Sequence, residues 1–275
     1  MNDSKKEARL FGKAGLPAKP RLSADLAAAA YGNETDAARR LRDIGWRMER
    51  WIAVDDTECF VAVNDTGRHA AVAFRGTEPA QLGDWLTDLN ARQVSWAHGR
   101  VHAGFLQSVD KVFAELWPLL TGLSSRGVSL HFTGHSKGAA EATLTAARLR
   151  AAQVPVAGLC TFGSPRVGDA TFAAWMDAVL PFGIQRYVNN NDVVARVPLP
   201  AKWIASFVPF GWLLPVGYRH CGALRYVAAS GEILENPRVG RLCADRLKGR
   251  WRAGRHWLSD GLRDHAMWRY REIFN

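Results

Sequence analysis

The chain has 275 residues, 48% apolar and 23% charged, with 36 basic against 26 acidic residues and a formal net charge of +10. That composition excludes a disordered chain and suits a single α/β domain able to bury a core without staples. Its four cysteines, Cys59, Cys160, Cys221 and Cys243, are spread too widely for a zinc motif or a small disulfide scaffold, so free thiols are expected.

Residues 1–20 read as a flexible polar tail and residues 21–275 as a single domain. The tail has no apolar stretch of signal-peptide length, which disfavours ordinary secretory export. Two Ala/Arg-rich helices are expected at 23–31 and 35–43. Strands at 59–64 and 69–74 flank Asn64-Asp-Thr-Gly67, a hairpin signal. Strands and helices then alternate: strand 128–133, helix 137–150, strand 156–162, helix 169–179, strand 184–188, strand 223–228 and a closing helix at 260–273. Such alternation predicts a mostly parallel sheet with helices on both faces. The longest apolar run, 203–217, has 15 residues and is broken by Pro209 and Pro215, too short to span a bilayer. A cytoplasmic location, or one peripheral to a membrane, is therefore expected. Segment 238–255 carries seven cations against one acid, Asp245. It suits an anionic membrane or nucleic acid, or is simply a solvated basic face. No nucleic-acid motif accompanies it, so no nucleic-acid partner is expected.

Chemistry enters at Leu130-His-Phe-Thr-Gly-His-Ser-Lys-Gly-Ala-Ala140. An apolar strand runs into Gly134-His135-Ser136-Lys137-Gly138, and an Ala-rich helix begins at once. This is G-x-S-x-G in the strand–turn–helix setting of a nucleophile elbow. Ser136 must sit on a sharp turn that projects its hydroxyl above the sheet, and Gly134 and Gly138 lack the Cβ atoms that would clash there. The helix N-terminus behind it favours developing negative charge. The competing reading is a serine helix cap. A serine nucleophile needs a base, and the base an acid to hold it. Asp192, in a polar turn after a strand, is the best acid. His220, His256 and His265 all follow it, and the residues alone do not choose among them.

Several further blocks occur in order between residues 70 and 270. They are Phe74-Arg-Gly-Thr-Glu78, Asp84-Trp-Leu-Thr-Asp-Leu-Asn90, Val101-His-Ala-Gly-Phe105, Thr161-Phe-Gly-Ser-Pro-Arg-Val-Gly-Asp169, Tyr187-Val-Asn-Asn-Asn-Asp-Val-Val-Ala-Arg-Val-Pro198, Tyr218-Arg-His220 and Asp264-His265. Together with the elbow the series resembles the class 3 lipases, α/β-hydrolases of the fungal-lipase type. The resemblance implies an α/β-hydrolase fold with a lid segment. It implies Ser136 as nucleophile, Asp192 as orienting acid and His265 as base. The oxyanion donors would be Thr77 and the backbone N–H of Lys137. Asp84, Trp85, Leu86 and Leu89 would fall in the lid, and His220, His102 and Arg75 in the scaffold. The family usually has leucine at Lys137. A cation there opposes the helix dipole, and Glu141, four residues on, is placed to compensate it.

The apolar stretch before His220, with Trp203, Phe207, Phe210, Trp212 and Leu213, reads as an acyl-binding wall or membrane-dipping flap, or as a loop packed under the end of the sheet. The activity so implied is that of a serine carboxylic-ester hydrolase on lipid esters, triacylglycerol lipase-like, with no metal and no organic cofactor. A phospholipase acting on anionic membranes, an effector exported without a signal peptide, is the alternative; an inactive hydrolase scaffold used for binding is the non-enzymatic one. The expected partners are a lipid or ester substrate and, peripherally, an anionic membrane.

Overall fold

The computed structural model describes residues 20–78, 81–83, 91–180, 183–198, 217–253 and 257–274. Helices α1 (Pro20–Ala29) and α2 (Glu34–Asp43) come first, the second capped by Asn33, whose side chain accepts from the Asp36 N–H. Three antiparallel strands follow, β1 (Trp46–Val54), β2 (Thr57–Asn64) and β3 (His69–Phe74). A small hairpin, β4 (Gln93–Trp96) and β5 (Gly99–His102), leads into the long helix α3 (Ala103–Ser125). The α/β alternation then runs β6 (Ser129–His135), α4 (Lys137–Ala151), β7 (Gly158–Phe162), α5 (Ala170–Val179), β8 (Ile184–Asn189) and β9 (Ala223–Val227). Strand β10 (Ile233–Glu235) and helices α6 (Val239–Ala253), α7 (Trp257–His265) and α8 (Met267–Glu272) close the chain.

The eight-stranded sheet has the order β1-β2-β3-β6-β7-β8-β9-β10. Its centre, from β3 to β9, is parallel, and antiparallel strands flank it on both edges. The two-residue period of a strand divides the core. Cys59, Val61 and Val63 of β2 point to the face covered by α3, α4 and α5, while Phe60 and Ala62 point to the face covered by α1 and α2. The α/β architecture and its elements from β6 to β9 match the expectation within a few residues.

The differences lie elsewhere. Strand β1 and helix α3 were not foreseen; nor were the β4–β5 hairpin, β10 and the helical state of α6. The expected closing helix is two helices, α7 and α8, divided at Ala266. The tail's boundary also moves, because Pro20 already begins α1. Cys59, Cys160 and Cys221 are buried free thiols and Cys243 is exposed.

Candidate active site

Ser136 is the single residue between β6 and α4, with φ 57° and ψ −130°. A non-glycine residue in this region is strained and needs its surroundings to hold it. The flanking glycines make the turn possible. A Cβ on Gly134 would stand 2.3 Å from the Gly138 carbonyl oxygen, and one on Gly138 would stand 2.4 Å from that of Phe74. The Ser136 N–H donates to the Phe162 carbonyl at 3.0 Å, tying the turn to β7. Its hydroxyl makes no capping hydrogen bond, which removes the helix-cap reading.

Of the three histidines left open by the residues, the fold brings His265 to Asp192. The Nδ1 of His265 lies 2.9 Å from Asp192 Oδ2, both side chains being buried. The same carboxylate oxygen accepts a 2.5 Å hydrogen bond from Tyr270 Oη. Its Oδ1 accepts from the N–H groups of Val194 and Ala195. Burial alone would raise the Asp192 pKa, but the charge and hydrogen bond of His265 and the hydrogen bond of Tyr270 outweigh it and hold the carboxyl below its ordinary value. His220 lies elsewhere, its Nε2 2.8 Å from the Ala195 carbonyl oxygen. His256 lies outside the described residues.

Ser136 Oγ, His265 Nε2 and Thr77 Oγ1 are among the buried side-chain atoms that have no hydrogen-bond partner. Gly76, just before Thr77, presses on the elbow, since a Cβ there would stand 2.5 Å from the His135 carbonyl oxygen and 3.1 Å from Ser136 Cβ.

His135 packs against His265. Its ring centroid is 4.4 Å from that of His265, and its Nε2 is 2.5 Å from the His265 carbonyl oxygen. Burial, and then the neighbouring His265, lower its pKa to about 3, so the ring is neutral. With Nε2–H donating to that carbonyl, Nδ1 must accept, and Tyr31 Oη supplies the donor at 2.6 Å.

Lys137 differs from the exposed cation expected at a helix start. It is 8% exposed, and its ammonium reaches both Asp56 Oδ2 in the β1–β2 turn, at 2.5 Å, and Glu141 Oε1, at 3.4 Å. Glu141 is fully buried, which pushes its pKa up to about 7 although Lys137 pulls the other way. Asp56 is also bound by Lys111 at 2.9 Å, and the two ammonium groups overcome its partial burial to lower its pKa to about 2.

The scaffold residues act as such. His102 caps α3, its Nδ1 accepting from the N–H groups of Gly104 and Phe105, and Arg75 binds Glu58 and Glu78. The sequence reading missed Gly163, Tyr270, Tyr31 and Asp56. Gly163, inside the Thr161-Phe-Gly block, has φ 56°, and a Cβ on it would stand 2.7 Å from both Asp192 Oδ2 and His265 Nδ1. That block was legible, but its contact with Asp192 and His265 depends on how β7 and β8 align. The expected lid residues Asp84, Trp85, Leu86 and Leu89 lie outside the described residues, as do Trp203, Phe207, Phe210, Trp212 and Leu213 of the apolar stretch.

Residues 71–202 match the family described as lipase (class 3). This segment belongs to the class 3 lipases. A lipase of Rhizomucor miehei is 33% identical over 153 residues, 52% of this chain and 41% of that protein. Phospholipase A1-II 3 of Oryza sativa subsp. indica is 30% identical over 178 residues, 52% of this chain and 41% of that protein. The chain thus spans about two fifths of the length of these relatives. Among solved structures, the mono- and diacylglycerol lipase of Aspergillus oryzae superposes with a TM-score of 0.64 at 23% identity, covering 78% of this chain and 84% of that one. The likeness is that of a shared α/β-hydrolase fold.

Proposed function

We propose that the protein is a serine carboxylic-ester hydrolase acting on lipid esters. The observation that carries this reading is the hydrogen-bonded Asp192–His265 pair in one site with an unpartnered hydroxyl on a strained elbow. His265 Nε2 removes the proton of Ser136 as Oγ attacks the ester carbonyl. Asp192, fixed by Tyr270 and two backbone N–H groups, holds the imidazole with Nδ1–H toward itself and stabilises the imidazolium. Thr77 Oγ1 and the Lys137 N–H receive the oxyanion. His265 returns the proton to the departing alcohol, leaving an acyl-serine. Water, deprotonated by the same imidazole, then releases the fatty acid.

Lipid is favoured over a small soluble ester by the relatives named as lipases and by the buried site. Ser136 and Asp192 have no exposed surface and His265 only 2%, so the reacting groups lie away from bulk water, a setting that suits an apolar acyl chain. Association with a lipid surface is part of this reading. A phospholipid substrate is the second reading, supported by the rice phospholipase relative and by the cationic segment 238–255. Product analysis on mixed vesicles tests both. Free fatty acid should appear with the parent chain and fall about 10⁴-fold in each of Ser136→Ala, Asp192→Ala and His265→Ala. Lysophospholipid among the products selects the phospholipase reading, partial glycerides the lipase one. Fatty acid release that survives Ser136→Ala would overturn the proposal.

A further inference from the structure

Helix α6 (Val239–Ala253) has two faces of different character. The inner face is seated on the loop that carries Asp192. Leu242 packs against the cluster of Val188, Ala195, Tyr226, Ala228 and Leu234. Asp245 accepts from Tyr226 Oη at 2.9 Å, the Ala229 N–H at 3.0 Å and Asn190 Nδ2 at 3.2 Å. Gly249 lets the helix close on that loop, since a Cβ there would stand 2.5 Å from Asn190 Oδ1 and 2.6 Å from Asn191 Nδ2.

The outer face repeats at four-residue spacing, which places side chains above one another along a helix. Val239 is 75% exposed, Leu247 57% and Trp251 83%, and Cys243, between the first two, is exposed as well. An exposed stripe this apolar marks an interaction surface rather than a solvated one. Its electrostatics identify the partner. Asp245 is the sole acid in α6 and is turned inward, and exposed cations flank the stripe: Arg238 lies beside the helix start, and Arg241 and Lys248 lie on the side toward Glu232. Arg241 leans on Glu232 at 3.2 Å, whereas Arg246 is held inside over the Tyr226 ring. A second copy of the chain would bring like charges together. An anionic lipid bilayer meets both halves of the pattern, with phosphates for the cations and an interfacial zone for the tryptophan. Among the described residues no helix is long and apolar enough to cross a membrane, so α6 would lie along the surface.

We propose that the outer face of α6 is the surface by which this protein docks on anionic bilayers. The inference rests on the lipid-hydrolase reading and adds to it the docking face and the lipid charge it selects. Docking there sets the bilayer one helix away from the loop bearing the orienting acid.

Co-sedimentation of the full chain carrying Ser136→Ala, which leaves the lipid intact, tests it. Vesicles of phosphatidylcholine alone are compared with vesicles containing phosphatidylglycerol. Binding should require the anionic lipid, weaken as salt rises, and fall at least about tenfold in a Leu247→Ser/Trp251→Ser double variant. Arg238→Gln/Lys248→Gln should weaken binding to anionic vesicles and flatten its salt dependence. Hydrolysis of a soluble short-chain ester by the same substitutions in an otherwise intact chain checks that the fold is unharmed. Equal binding to neutral vesicles, or undiminished binding by both double variants, would overturn the proposal. Vesicle binding without Ser136-dependent hydrolysis would leave the docking face standing and remove the hydrolase reading; hydrolysis without binding would do the reverse.

Discussion

Asp192 is the most heavily committed side chain of the site, receiving His265, Tyr270 and two backbone N–H groups. A hydrogen bond to a charged group contributes about 1.5–3 kcal/mol, so Tyr270→Phe should cost about 2 kcal/mol of stability. It should also lower kcat about tenfold with KM unchanged, because the phenol positions the acid and does not touch substrate. Denaturation midpoints and steady-state kinetics check the two effects separately. Lys137 and Glu141 give a prediction in pH. The folded pKa of Glu141 is raised, to about 7, above its ordinary 4.5, so folding favours its protonated form. The contribution is fully present below about pH 4.5 and is lost as pH rises through about 7. Lys137→Met removes the cation that opposes this rise and leaves a buried carboxylate without its neighbour. The variant should be about 3 kcal/mol less stable than the parent at pH 8 and much closer to it at pH 5, as read from denaturant midpoints. An equal deficit at both pH values would mean that lost packing, not charge, dominates.

At the scale of elements, three loops at the C-terminal ends of parallel strands converge: the elbow after β6, Gly163 after β7 and the acid turn after β8. This is where open α/β sheets place their sites. Gly163 stands directly against the Asp192–His265 pair. Gly163→Ala needs a positive φ and puts a methyl between Asp192 and His265, so activity should fall by at least about 10²-fold. Stability should suffer by about 1–3 kcal/mol. Retained activity with retained stability would show that the pair has room to move. The elbow, the acid and the central strands were legible because local chemistry dictates them: glycine spacing, a polar turn and unbroken apolar runs. Strand β1 was not, because Arg47, Glu49 and Arg50 interrupt its apolar pattern at an edge of the sheet. Helix α3 carries a helical stripe of Phe105, Val109, Val112, Leu116, Leu120 and Leu123, but Leu106, Phe113, Trp117 and Leu119 spread apolar character around it and blur the period. Tyr270 and Tyr31 could not be found from sequence, since their partners are 78 and 104 residues away and the sheet alone brings them together.

For the molecule as a whole, a buried nucleophile and a cationic, partly apolar outer helix belong to one account. Ser136 is fully buried, and in the proposed account its hydroxyl is reached once the outer face of α6 has docked on a lipid surface. The measurement that tests this most directly is labelling of the intact chain by a fluorophosphonate, with the modified residue located by mass spectrometry, in buffer and in detergent micelles. Covalent modification at Ser136 should be accelerated by micelles and abolished in both Ser136→Ala and His265→Ala. A chain that leaves Ser136 unmodified in both conditions, while remaining folded, would contradict the assignment of an activated serine and with it the hydrolase reading.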